Sequence, residues 1–236
     1  MRYGLLAAHG VLRALQGNRK PPSPEGLETL EREYRALLER DLANAEAGMY
    51  PSDLLFQIPL RNYALALPRF VLDLPRIASR MRRNDWRDLP GEIDVQRFPA
   101  YFRRTFHWQT DGYLSQRSAE IYDLSVEVLF LGCADVMRRQ VIPPLVQHAR
   151  GRKAGSLRIL EVACGTGRTL GQIARALPGQ RYFGVDLSPY YVEEARRHLR
   201  DIPDVSLVSD NAEELPYRDD YFDASTSVYL FHELPR

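Results

Sequence analysis

Apolar residues follow two different spacings along this chain. Over the first 150 residues the spacing is mostly helical. Beyond them, short apolar runs alternate with helical stretches. Residues 27–47, LETLEREYRALLERDLANAEA, put Leu30, Tyr34, Leu37 and Leu38 on one face of a helix. Ser23-Pro24-Glu25 suits the cap and first turn of that helix. A short amphipathic helix is predicted over 2–16, with a proline-rich linker at 18–26. From 51 to 83 the chain is apolar but interrupted by Pro59, Pro68 and Pro75, which predicts short helices turning at each proline. Residues 84–112 read as irregular. Helical spacing returns over 113–149 through Ile121, Leu124, Val128, Leu131 and Met137, and Pro143-Pro144 is expected to break it.

The pattern changes at Leu157. Four apolar runs, at about 157–162, 181–186, 205–209 and 223–229, have the length and character of strands buried on both faces. Between the first two lies ACGTGRTLGQIARAL, a small-residue turn opening a helix that Pro178-Gly179 stops. Gly165 and Gly167 in that turn allow backbone angles other residues avoid and the close approach of a ligand. The second run ends at Asp186, about 20 residues beyond the turn, the spacing of a carboxylate that holds a ribose. Strand, tight turn, helix and acid together make a nucleoside-binding unit.

Composition narrows the setting. The net charge is +1, so no dominant polyanionic partner is expected, and nucleic acid is not predicted as a ligand. Arginine clusters at 80–87 and 138–152 read as solvated helix faces. Two cysteines, Cys133 and Cys164, supply neither a disulfide framework nor zinc-ligand spacing. No apolar stretch reaches the ~20 residues that span a bilayer. A reducing, cytoplasmic setting is the expectation.

The turn decides between nucleoside ligands. A dinucleotide site reads G-x-G-x-x-G or G-x-G-x-x-A, but Leu170 stands where the last small residue belongs. Glu161 precedes Gly165 by four residues. The segment LRILEVACGTGRT resembles motif I of the class I S-adenosylmethionine-dependent methyltransferases, with Ala163 in place of the motif's first glycine. GVDLSPYYVEEARRHL resembles the family's second strand and following helix. VSLVSDNAEELPYRDDYFDASTSVYLFHELP resembles its third and fourth strands with the adenine loop between them. The fourth strand, FDASTSV, lacks the Asp/Asn-Pro-Pro-Tyr motif of the enzymes that methylate nucleic-acid amino groups. Residues 105–139 are similar to the segment before motif I in bacterial and plastid methyltransferase-domain proteins without an assigned substrate.

The resemblance implies an α/β, Rossmann-like, doubly wound sheet, the first four strands of a seven-strand fold. A mainly helical region, 1–112, would precede a domain at 113–236 that carries its own leading cap helix. It implies S-adenosylmethionine as cofactor and a small molecule, including quinone types, as acceptor. Asp186 would accept the ribose hydroxyls, and Leu187 would pack beside the adenine. The backbone of Ala163, Gly165 and Gly167 would face the methionine end, with Glu161 orienting the loop or the ammonium. Asp210 or Asn211 would accept the adenine amino group, the Ala212 N–H would meet a ring nitrogen, and Ser227 would lie near the methionine moiety. His107, Trp108, Tyr113 and Tyr122 are candidate lid residues. Cys164 reads as small filler rather than a nucleophile, and His232 as packing or a general base.

Two other readings remain open at this level: a non-catalytic nucleoside-binding or scaffold protein, and an NAD(P)-dependent oxidoreductase. Measured against the family's seven strands, ~60–90 residues would be missing after Arg236. On that expectation the chain is a fragment, inactive alone and prone to self-association through the incomplete sheet.

Overall fold

The computed structural model describes residues 23–234 apart from Pro90 and Glu92, and the backbone but not the side chain of Trp108. The helix expected over 2–16 and the first part of the linker lie outside the described residues. Helix α1 (Pro24–Glu46) starts where a serine can cap it: Ser23 Oγ accepts the Gly26 N–H at 3.1 Å. Its buried side carries Asp41 and Ala45. Asp41 meets Arg139 in an ion pair from which water is nearly excluded, and Tyr50 donates to the same carboxylate at 2.7 Å. The guanidinium also reaches the Leu54 carbonyl at 3.1 Å, so all of its charge is answered.

Helix α2 (Leu60–Arg83) corrects the expectation of short helices turning at each proline: Pro68 and Pro75 both lie inside one helix of 24 residues. The reason is where the prolines sit. Ala66, Phe70, Asp73 and Arg80 form the buried stripe, whereas Pro68 and Pro75, seven residues apart, both face solvent. A proline on the outer face removes hydrogen bonds on the convex, solvent-facing side, where they are already lengthened. The packed stripe holds the helix together across them.

Helices α3 (Gln116–Leu129), α4 (Ala134–Arg139) and α5 (Ile142–Ala149) follow. The helical run is interrupted at 140–141, just before Pro143 and Pro144. They lie in the first turn of α5, where the missing N–H groups would have had no partner.

The remaining elements alternate: β1 (Arg158–Val162), α6 (Arg168–Ala176), β2 (Arg181–Asp186), α7 (Pro189–His198), β3 (Val205–Ser209) and β4 (Ala224–Ser227). The four strands form one parallel sheet in the order β3-β2-β1-β4. The α/β sheet expected from the apolar runs is therefore present, each strand within two residues of its expected limits. Leu157, Ile159, Leu170, Ile173 and Tyr182 fill its core. Ala45, Tyr50 and Leu54 of the N-terminal region share that core. Strands run outward from β1 through β2 to β3, and the chain then returns to the other side of β1. That reversal opens a crevice at the carboxyl ends of β1 and β4, where open parallel sheets bind ligands.

Candidate functional site

The turn after β1 is fastened before any ligand arrives. The Cys164 N–H donates to the Val185 carbonyl at 3.0 Å, and the Gly167 N–H to the Cys164 carbonyl at 2.9 Å. The Gly165 N–H donates to Asp186 Oδ2 at 2.8 Å, and the Ser188 N–H to Asp186 Oδ1 at 2.8 Å. Asp186 thus closes β2 and ties the turn to it. Ala163, Gly165 and Gly167 all have positive φ, at 56°, 55° and 75°. At Ala163 this is a strained choice, since a Cβ disfavours that region.

Around the turn lies a cavity of about 580 Å³. It gathers eight of the ten residues expected from sequence: Ala163, Gly165, Asp186, Leu187, Asp210, Asn211, Ala212 and Ser227. A Cβ at Gly165 would meet no protein atom within 4 Å, so space is open at that glycine. Ser227 Oγ is buried there without a hydrogen-bond partner. The Asn211 side chain is held within its own loop, its carbonyl oxygen accepting the Glu213 N–H at 3.1 Å and its amide donating to Glu213 Oε2 at 3.3 Å. Asp210 accepts the Asn211 N–H with Oδ1 at 2.8 Å.

The other two expected residues are not on the cavity wall. A Cβ on Gly167 would come within 2.8 Å of Leu199 Cδ1 and 3.1 Å of Ala195 Cβ. That glycine lets α7 approach the start of α6, a packing role. Glu161 is the fourth of the five residues of β1, beneath the turn and fully buried.

Residues 159–236 match a family model described as a methyltransferase domain. Residues 159–236 carry a methyltransferase domain. The chain is 33% identical over 78 residues to the phthiotriol/phenolphthiotriol dimycocerosates methyltransferase of Mycobacterium leprae (strain TN), covering 33% of this chain and 28% of that one. It is 35% identical over 113 residues to the ubiquinone/menaquinone biosynthesis C-methyltransferase UbiE of Proteus mirabilis (strain HI4320), covering 46% of this chain and 42% of that one. The chain thus spans less than half the length of these curated relatives. The crystal structure of the CurJ carbon methyltransferase is 19% identical over 95% of this chain and 63% of that one, with a TM-score of 0.43.

Electrostatics in the methyltransferase domain follow from burial. Burial raises the Glu161 carboxyl from 4.5 to about 8, against the opposing Thr169 hydroxyl, the Arg138 charge and the Leu170 N–H. Burial raises Asp186 from 3.8 to about 6, while the Ser188 and Gly165 N–H groups oppose it. Burial also pushes the Cys164 thiol well above its usual range, which keeps it protonated and unreactive. Its sulfur lies against Gly184, where an added Cβ would come within 2.9 Å.

The N-terminal region supplies walls that strand reading could not locate. Phe102, Phe106 and Leu114 form a second apolar cluster that packs on Leu187 and Tyr113. Tyr113 stacks on Phe106 at 4.9 Å and meets Tyr191 edge-on at 5.3 Å. Beyond these rings is a second cavity of about 310 Å³, lined by Phe70, Leu74, Ile77 and Met81 of α2 and by Val126 and Phe130. The two cavities share Tyr113, Tyr122, Tyr229 and Glu233. Burial raises the pKa of all three phenols, so at neutral pH they remain hydrogen-bond donors.

Of the expected lid residues, Tyr113 and Tyr122 therefore stand at the junction of the cavities. His107 lines the second cavity only, and the Trp108 side chain lies outside the described residues. His107 holds a left-handed backbone, φ 48° and ψ 28°, and its ring meets His232 and Glu233 beside the same junction. The resemblance of residues 105–139 pointed to Tyr113 and Tyr122 but not to Phe102 and Phe106, for which the run of aromatic residues over 98–108 is the available signal. Among the described residues, no helix is long and apolar enough to cross a membrane.

Proposed function

We propose that this chain binds S-adenosylmethionine at the carboxyl ends of β1, β2 and β4 and transfers its methyl group to a small-molecule acceptor. The observation that carries this reading is Asp186. Two backbone N–H groups fix its carboxylate in the cavity beside Gly165, and each oxygen keeps a lone pair for a ribose hydroxyl. Leu187 would pack on the adenine, and the Ala212 N–H would meet a ring nitrogen. Asp210 is favoured over Asn211 for the adenine amino group, because Asn211 commits its side chain to Glu213. The unpartnered Ser227 Oγ suits a polar group of the methionine moiety. Glu161 acts from beneath the turn.

The cofactor, when bound, supplies a methyl carbon already made electrophilic by its sulfonium. The chain's own task is then alignment, which supplies up to ~7–11 kcal/mol of a bimolecular barrier. The second cavity supports an acceptor with an apolar body whose reactive end passes between Tyr113, Tyr122 and Tyr229. The names of the curated relatives, which include a quinone-pathway C-methyltransferase, agree with an acceptor of that kind.

Calorimetry with S-adenosylhomocysteine tests the reading. Asp186→Ala removes two hydrogen bonds to neutral hydroxyls, each worth ~0.5–1.5 kcal/mol, so affinity should fall roughly 5- to 160-fold. Binding of NADH with none of S-adenosylhomocysteine would overturn it.

A further inference from the structure

Three ligating atoms converge where the two cavities meet. His107 Nε2 lies 3.0 Å from His232 Nε2 and 2.8 Å from Glu233 Oε1, and His232 Nε2 lies 3.2 Å from the same oxygen. The two histidines are 125 positions apart in sequence. The triangle has three edges of hydrogen-bond length. Two neutral imidazoles supply at most one Nε2–H each, and an ionised carboxylate supplies none. Hydrogen bonds therefore satisfy at most two edges and leave the third as two lone-pair atoms or two N–H donors in contact. One cation bonded to all three corners satisfies the whole triangle.

The edge lengths also select a geometry. With metal–ligand bonds of about 2.1 Å, neighbouring ligands of an octahedral ion are about 3.0 Å apart, and those of a tetrahedral ion about 3.4 Å. The observed 2.8, 3.0 and 3.2 Å match one face of an octahedron. Both imidazoles are half-exposed, which leaves an entry path, whereas Glu233 is largely covered. The Tyr113 hydroxyl donates to Glu233 Oε1 at 3.4 Å, an outer partner of the kind that orients a ligating carboxylate.

We propose that His107, His232 and Glu233 form a binding site for one divalent first-row transition-metal ion, with three coordination positions left for water and an oxygen donor. These residues line the second cavity, and Glu233 lines both. If the methyl-transfer reading holds, that donor is a hydroxyl or enol of the acceptor. Bound to the ion, it releases its proton to water and keeps the electron pair. That pair forms the bond to the methyl carbon while the carbon–sulfur pair departs with sulfur. The role of the ion rests on that reading; the site itself does not.

The test titrates the chelator-treated 236-residue chain with Co(II), followed by calorimetry and visible absorption. One ion per chain is expected, with the weak bands of six-coordinate cobalt. Catechol, a bidentate oxygen donor, should shift those bands. His107→Ala, His232→Ala and Glu233→Gln should each weaken cobalt binding by more than the ~10- to 100-fold that loss of an outer partner costs. His107→Ala and His232→Ala should leave S-adenosylhomocysteine affinity unchanged. The half-exposed histidines make unfolding of those two variants a separable outcome, checked by thermal melting. Absence of saturable cobalt binding, or equal binding by wild type and all three variants, overturns the site. Ligand-dependent cobalt binding without S-adenosylhomocysteine binding would leave the site standing and remove the methyl-transfer reading.

Discussion

Replacing Glu161 by glutamine isolates the largest buried ionisation beneath the turn. The carboxyl titrates at 4.5 when exposed and at about 8 in the folded protein. Because the folded value is raised, folding takes up a proton between those two values. Stability is greatest below pH 4.5 and is lost as pH rises toward 8. At 1.36 kcal/mol per pK unit, the full span amounts to about 5 kcal/mol. At about pH 7 the folded state holds most of a proton that the unfolded state lacks, a slope of about −1 kcal/mol per pH unit. Glutamine mimics the neutral acid and does not titrate. Urea unfolding of both proteins at intervals from about pH 5.5 to 8.5 should show wild type losing about 3 kcal/mol relative to Glu161→Gln. The comparison cancels Asp186, whose raised carboxyl acts in both proteins. Parallel stability curves would refute the argument and mean that Glu161 is ionised and solvated in the folded state.

Two further substitutions probe the turn. Ala163→Gly should stabilise the fold by about 0.5–1 kcal/mol, since relief of ~1–2 kcal/mol of left-handed strain exceeds the extra freedom glycine gives the unfolded chain; a lower melting temperature would show that the methyl group packs more than it strains. Gly167→Val should cost about 2–5 kcal/mol through overpacking against Leu199 and Ala195 plus backbone strain. Pairing it with Leu199→Ala should recover part of that loss in denaturant unfolding. No recovery would place the cost in the backbone alone.

Sequence reading was most successful where function depends on neighbours along the chain. Val162, the small-residue turn and Asp186 could be read because a buried parallel strand is a continuous apolar run and a left-handed turn favours glycine. It was least successful where three-dimensional packing decides. The prolines of α2 suggested breaks, because no local pattern reveals that Pro68 and Pro75 share the solvent face. The packing of Gly167 against Leu199, 32 positions away, has no local signal in the sequence. Glu161 was expected to orient the loop or the cofactor's ammonium, and the strand buries it beneath the turn. The wall made by Phe102, Phe106 and Tyr113, and the triangle of His107, His232 and Glu233, arise from segments that meet only in the folded chain.

The fastening of the turn to the end of β2 sets how a ligand would be received. Ordering a residue costs about 1–2 kcal/mol, and for Ala163 through Gly167 that cost falls on folding rather than on binding. The turn therefore behaves as a preformed socket: a nucleoside meets finished geometry, and changes in affinity should appear in dissociation more than in association. Recognition is in this way linked to the integrity of the sheet. A mutation that frays the end of β2 shifts the ordering cost back onto the ligand and weakens binding without touching a single contact atom.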